Sequence, residues 1–538
     1  MKKFLNKNWI VIAIFILGLS VAWPLFKSGY FSHQDDLQVI RLVEMRKCFA
    51  DLQIPCRWVP DMGWANGFPL FNFYGVSTYY LGVIISYLTG YLIASKILFF
   101  LGLTAGSFGL YLLVKELWGK YAGLTAAVLY MFAPYKALDI YVRGALAESM
   151  ALTLIPFVLY FAYKKNYKLF TIFLFIFLIT HNIMTIVFLP IVALWIGYLL
   201  FSDKFTNLKP FLISTAIAFG LSSFFVLPAF LEKDLVQTES LTRFELDYRA
   251  NFVSVKQLFL DRVWGYGTSI PGPEGGMNFS IGWPHWFLVL AAVGCLLFSK
   301  KNKSTLLVAG LILLFLLSIL MTHNKSTFIW ETFSILTFFQ FPWRFLSLSI
   351  LTASIIGGFV LSVFEERLQK YVAAILILII VVLNINYFKP RELINVTEEQ
   401  KLSGEMWEIQ RKGAVLDYLP KTALEPREGA PKEPLITSGD ALISNFVSKS
   451  NKFKFDVEVK ENSTIHVPIY YFPNWKVKVN GKDHPISFDN YLGRISIDLE
   501  VGNYEVEGRF KNTPIRNVAN TISLISLLCF GIYIWKKY

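Results

Sequence analysis

Residues able to do chemistry together crowd one short stretch near the start of the chain: His33, Asp35, Asp36 and Arg41, within HQDDLQVIR. A carboxylate can take a proton from a hydroxyl while a nearby His and Arg meet a phosphate, so the grouping suits general-base activation beside an anionic leaving group. A plainer role competes for one of the acids. Asp35 or Asp36 is expected to cap a helix from Leu37 to Ala50, and a cap needs only one Asp. Further along, Arg143 and Glu148 stand five residues apart in RGALAES, His181 and Asn182 close an apolar run, and Arg344 follows Phe341-Pro342. An arginine fork offers paired, permanently charged donors that match a phosphate. The alternatives are an Arg143–Glu148 ion pair, a snorkelling interfacial anchor at Arg344 and simple helix termination at His181-Asn182.

No other chemistry has a comparable pattern. The six His (33, 181, 285, 323, 466 and 484) are never closer than eighteen residues, so no zinc motif appears, and a divalent metal could be held only by a composite site at the membrane surface. P-loop, dinucleotide-binding, nucleophile-elbow and CxxC patterns are absent, which argues against nucleotide hydrolysis and thiol chemistry. Cys295 and Cys529 fall in apolar runs. Cys48 and Cys56 share a polar loop, where a disulfide needs an oxidising compartment; eight residues of continuous helix would instead hold them ~12 Å apart.

The elements that must position these residues are membrane helices. Of 538 residues, 55% are AVILMFWYC and only 17% are charged, and the mean hydropathy is +0.49. Repeated apolar runs approach the roughly 20 residues needed to cross a bilayer. Disorder, collagen, a disulfide-rich module and a cytosolic enzyme are excluded. About twelve spans are expected: Trp9 to Phe26, Leu92 to Val114, Tyr121 to Pro134, Ala147 to Tyr163, Leu169 to Thr180, Ile183 to Phe201, Phe211 to Phe230, Trp283 to Phe298, Thr305 to Met321, Phe345 to Val363, Tyr371 to Tyr387 and Val518 to Trp535.

Charge sets their orientation. Alternating these spans from a cytoplasmic N-terminus gathers seventeen Lys and Arg into short inner segments, against four in short outer loops. The positive-inside bias favours that arrangement, with both termini cytoplasmic, and it accounts for the net charge of +13 without nucleic acid. The short aromatic stretch Gly75 to Thr89 would invert the pattern if it crossed, so it is expected to be interfacial or re-entrant, with Tyr79, Tyr80 and Tyr87 in an aromatic belt. The resulting division is a first span at 1–26, an external loop with interfacial helices at 27–91, and a multi-helix membrane domain at 92–387 that includes an external loop at 231–282. An external β-rich domain at 388–517 and a last span at 518–538 complete it. In the β-rich part KFKFDVEVK, WKVKV, RISIDL and YEVEGRF alternate in strand fashion, and Asn480-Gly481 reads as a hairpin turn. In the loop at 231–282, Arg243, Arg249, Trp264, Tyr266 and the Gly/Pro-rich stretch Gly265 to Gly276 could form a lid over a sugar.

The strings HQDDLQVIRL, RWVPDMGWANGFPLFNFYG and STYYLG, followed by RGALAES, THN, MNFSIGWPHW and QFPWRF, resemble the membrane family labelled "6-pyruvoyl-tetrahydropterin synthase-related". The layout of a first span, an acidic external loop, a Tyr-Tyr interfacial segment and many helices is also similar to the GT-C superfamily of polyprenyl-phosphate-sugar-dependent glycosyltransferases. That resemblance implies a polytopic α-helical membrane protein with an external β-sandwich-like domain in a bacterial or archaeal plasma membrane. It implies sugar transfer from a polyprenyl-phosphate donor to an envelope glycan, lipid or protein on the outer face. Asp35 or Asp36 would be the catalytic base, and His33, Arg41, Arg143, Glu148, His181 and Arg344 would contact substrate. The competing reading is a non-catalytic protein that transports or scaffolds envelope lipids or glycans. Transport would call for charges midway along spans, and the clearest candidate, Lys96, lies near an end.

Overall fold

The computed structural model describes residues 2–270, 275–298 and 302–535, without the side chains of residues 2–7. Four of the basic residues expected on the inner side, Lys300, Lys301, Lys536 and Lys537, lie outside the described residues, as do positions 271–274 of the Gly/Pro-rich stretch. The chain is an integral membrane protein: eight described helices are long and apolar enough to cross a bilayer, among them Tyr91–Trp118, Leu146–Tyr163 and Asn182–Ser202. The other expected spans form shorter apolar helices. Tyr121 to Pro134 yields Lys120–Met131, twelve residues and almost wholly buried. At 1.5 Å per residue it covers about 18 Å, short of a ~30 Å hydrocarbon core. It ends at Phe132, and Pro134 opens a separate turn.

The stretch Gly75 to Thr89 forms a helix of thirteen residues, Ser77–Thr89, stopped by Gly90 in a left-handed conformation. It packs on the helices Gln38–Ala50 and Tyr91–Trp118. Tyr87 is exposed beneath the Arg46 guanidinium, 4.3 Å away. Tyr79 departs from the expected belt: it is buried, and its hydroxyl donates to Gln38 Oε1 at 2.7 Å.

Polar contacts gather the loops at two opposite ends. At one end Lys164 pairs with Glu116, Lys165 with Asp203, and Lys303 donates to the Ser202 carbonyl. At the other, Lys96 donates to the Lys27 carbonyl, Asn182 to the Phe73 carbonyl and Gln237 to the Pro420 carbonyl. The helix Tyr91–Trp118, with Lys96 near one end and Glu116 near the other, separates the two groups. Lys96 thus sits at a helix end, as its position suggested.

The C-terminal region forms two antiparallel sheets. One runs in the order Ala441–Lys449, Lys452–Val459, Gly502–Phe510, Trp475–Val479, Lys482–His484; the other runs Leu435–Ser438, Ser463–Tyr470, Arg494–Leu499. Asn480 and Gly481 both take positive φ in the two-residue turn, which suits strand twist. Alternation along Lys452–Val459 and Trp475–Val479 buries every second side chain. The sheets share that core with Trp58 and Phe73 of the first loop; Trp58 meets Trp475 edge-on, ring centroids 5.8 Å apart. The loop is therefore plugged into the β domain.

Cys48 and Cys56 form a disulfide with their Cα atoms 5.5 Å apart. The helix stops at Ala50 and the chain doubles back through residues 51–55, so the helical separation never applies. Below, Glu232 accepts from Asn72, from Thr513 and from buried Arg516. This network fastens the loop to the base of the last helix, Pro514–Trp535.

Candidate functional site

The site begins where the first helix ends. A short turn at Trp23–Phe26 leads to Tyr30–Phe31, which pairs antiparallel with Leu393–Ile394. The next residues lean on another segment: the Gln34 amide donates to the Val142 carbonyl at 2.9 Å and the Asp35 amide to the Arg143 carbonyl at 2.8 Å. The helix then starts at Gln38, and neither acid caps it. Leu37 occupies the cap position and no side chain bonds the free amides.

Both carboxylates are drawn elsewhere by stronger partners. Asp35 Oδ2 accepts from Arg41 Nη1 at 2.7 Å and from Gln38 Nε2 at 3.0 Å. Among the described hydrogen bonds none falls on Asp35 Oδ1. Asp36 Oδ2 is paired with Lys401, which arrives from a short helix, Glu398–Lys401, that follows the membrane helix Glu366–Asn384. The two acids keep about a third of their side-chain surface, whereas the two cations are almost completely buried. Charge-assisted bonds of this kind outweigh an exposed cap. Arg41 also lies 4.5 Å over the Tyr74 ring, which fixes its fork.

His33 is enclosed. Its ring packs among Tyr30, Phe31 and Phe99, neither nitrogen has a hydrogen-bond partner among the described residues, and Nε2 stands 3.8 Å from Asp36 Oδ1. Burial pushes its pKa below the ordinary 6.5, against the pull of Asp36 and Asp35. Gly144 makes room for it: at φ +67, a Cβ there would come 2.1 Å from His33 Nδ1.

Arg143 and Glu148 do not lie on an exposed loop. The segment 135–146, between two of the expected spans, is buried, built of a short helix, Pro134–Ala137, and a π turn, Leu138–Val142. Two carboxylates and two guanidiniums interlock there. Arg143 Nη1 binds Asp139 and Glu148 Oε2, the latter at 2.9 Å, and Arg344 Nε reaches Glu148 Oε2 at 3.3 Å. Tyr135 donates to Glu148 Oε1 at 2.7 Å, and Trp343 lies under the Arg143 cation at 4.4 Å. The ion pair expected within RGALAES is present, extended to Asp139 and Arg344. Arg344 is buried and paired instead of snorkelling. His181 opens the helix Asn182–Ser202, accepting from the Met184 amide at 3.2 Å. Just before it, the Thr180 carbonyl oxygen lies 2.0 Å from where a Cβ of Gly75 would be, so the first loop crosses here at a contact only glycine allows.

The residues singled out from sequence thus gather at one end of the helices, in two linked groups. His33, Asp35, Asp36 and Arg41 form the more open one; Arg143, Glu148 and Arg344 form the buried one, with His181 within electrostatic range. The Asp35–Arg143 main-chain bond and a 2.9 Å bond from Gln38 Nε2 to the Gly144 carbonyl join them. Among the described residues no three His, Cys, Asp or Glu side chains are grouped to hold a metal ion, so Asp36 and His33 alone make an incomplete ligand set.

Three members were missed. Lys401 stands 365 positions from Asp36 and no local pattern announces it. Asp417 comes from the same connecting region and acts electrostatically on Arg41 and Asp35; burial pushes its carboxyl up to about 6 in spite of Arg41. Asp139, four residues before Arg143 in an apolar stretch, carried the signal of an i,i+4 pair.

No protein-family model matches the sequence, and no curated protein matches it. Among solved structures the chain is similar to the arabinofuranosyltransferase AftD from Mycobacteria (TM-score 0.45, 14% identity, 73% of this chain and 28% of that one). It is also similar to the Archaeoglobus fulgidus oligosaccharyltransferase in its apo form (0.43, 13%, 79% and 61%). A third is ArnT from Cupriavidus metallidurans bound to undecaprenyl phosphate (0.39, 11%, 70% and 64%). The chain spans little more than a quarter of the first of these proteins and less than two thirds of the others.

Proposed function

We propose that this chain is a GT-C-like glycosyltransferase that moves a sugar from a polyprenyl-phosphate donor to an envelope acceptor on the outer face of its membrane. One observation carries the reading. A carboxylate with one oxygen free of described hydrogen bonds and partly exposed, Asp35, is anchored by a buried arginine at the end of a helical bundle. Membrane helices bring a lipid-linked donor to such a depth, and an acceptor hydroxyl arriving from water needs a base there.

In this reading Asp35 Oδ1 takes the acceptor proton while the hydroxyl oxygen attacks the anomeric carbon, the glycosyl–phosphate bond breaks, and the configuration inverts. Arg41 keeps Oδ2 occupied, so Oδ1 points at the hydroxyl, and Asp36 with Lys401 holds the connecting segment over the site. The lipid phosphate leaves toward Arg143 and Arg344. Their carboxylate partners fix both forks in place, so the N–H donors that face the phosphate are preorganised and need no rearrangement as charge develops.

The test is donor turnover. The purified chain in lipid nanodiscs, given synthetic polyprenyl-phosphate-linked mannose, glucose or arabinose and an envelope extract as acceptor source, is expected to release free polyprenyl phosphate from at least one of them. No release from any donor would contradict the reading and favour a transport or scaffolding role.

A further inference from the structure

A cavity of about 210 Å³ lies beside the site, in the loop at 231–282. It is smaller than the roughly 300–1,000 Å³ of sites for drug-sized ligands, room for one ring and not for a chain. Its wall mixes Gln257, Asp261, Thr268 and Ser269 with the apolar Met277 and Phe279.

Among the described residues the lining holds one carboxylate and no cation. An anionic lipid phosphate would meet repulsion there. A neutral polyol would find acceptors at the Asp261 carboxylate and at the Thr268 and Ser269 hydroxyl oxygens, whose protons go to the Ile270 carbonyl and to Asn251 Oδ1, and an aromatic edge for its C–H face. Gln257 adds to this: its Oε1 is taken by the backbone amide and hydroxyl of Ser254 in a capping box, which leaves its N–H groups as donors. Gln34 Nε2 donates to the Gly267 carbonyl at 2.9 Å. The residue next to Asp35 is therefore bonded to the residue next to Thr268, and the cavity is tied to the acid's own segment.

We propose that this cavity binds one sugar ring of a glycan acceptor and presents the neighbouring hydroxyl to Asp35. The acceptor is thus a saccharide and not a lipid or a bare protein side chain. The acceptor role rests on the glycosyltransferase reading; saccharide binding in the cavity does not.

The test is saturation-transfer NMR on the full chain in nanodiscs with the methyl glycosides of mannose, galactose, rhamnose and arabinose. At least one is expected to bind, at least tenfold more weakly in Asp261→Asn and in Thr268→Val, and unchanged in Lys204→Gln at the opposite end of the helices. Two near-isosteric changes keep the result readable if one of them misfolds. Binding to none of the four glycosides, or binding untouched by both lining variants, would overturn the cavity. If donor is consumed while no glycoside binds, the cavity assignment falls and the catalytic reading stands. If a glycoside binds in the cavity while no donor is ever consumed, the reverse holds.

Discussion

The main-chain amide of Asp35 donates to the carbonyl of Arg143, 2.8 Å away. One hydrogen bond thus joins the open, water-facing group of the site to the buried one.

Asp36 and Lys401 provide the first prediction. Lys401 is buried and Asp36 is its described carboxylate partner, so Asp36→Asn leaves an uncompensated cation. Hydrogen bonds to charged groups are worth about 1.5–3 kcal/mol; partial exposure of Asp36 places the loss toward the low end. Thermal denaturation should show the drop, and Asp36→Asn combined with Lys401→Met should recover most of it. Equal destabilisation in the double variant would mean the pair is incidental.

Acid–base titration of stability has two components of opposite sign. Asp417, raised from 3.8 to about 6 by burial, binds more protons folded than unfolded between those values, so its contribution falls as pH rises from about 4 to about 6. His33, lowered below 6.5 by burial, does the reverse: its contribution is present above 6.5 and is lost as pH falls through that value toward its folded pKa. Asp417→Asn should therefore make stability decline more steeply on acidification from pH 6 to 4, and His33→Gln should make it decline less. Denaturation midpoints measured across that range check both; identical curves for all three proteins would sink the assignment.

The disulfide closes a loop of eight residues. In the chain-entropy picture such a closure is worth about 2–3 kcal/mol. Cys48→Ser with Cys56→Ser should lower the melting temperature, and a reductant should lower it in the parent and not in the variant.

Topology is tested by labelling in a background lacking Cys295 and Cys529. Glu500→Cys on the β domain should react with an impermeant maleimide in intact cells, and Lys204→Cys at the opposite end should react only after lysis. Reversal of the two would invert the orientation and move the acids to the cytoplasmic side.

Much of this was readable in the residues. WKVKV and RISIDL coincide with strands Trp475–Val479 and Arg494–Leu499, because period-two burial on a two-sheet core leaves a plain trace. The long apolar runs became helices because a backbone in hydrocarbon must satisfy its own hydrogen bonds. What failed was local logic applied where long-range partners rule. Asp35 and Asp36 look like caps until Arg41 and Lys401 claim them, and Lys401 lies too far along the chain to be paired by spacing. Arg143 and Arg344 look like surface charges, yet Asp139 and Glu148 permit their burial. Compensation between segments 200 residues apart leaves no periodic mark.

The central claim is that Asp35 is the base, and the most direct measurement compares sugar transfer by the parent and by Asp35→Asn, with folding followed in the same samples. Losing a general base typically lowers rate by about 10²- to 10⁴-fold, so folded Asp35→Asn should release polyprenyl phosphate at least a hundredfold more slowly, a loss far beyond the modest drop in melting temperature that follows from leaving buried Arg41 without its carboxylate. Transfer at the parental rate by a folded Asp35→Asn protein would contradict the account.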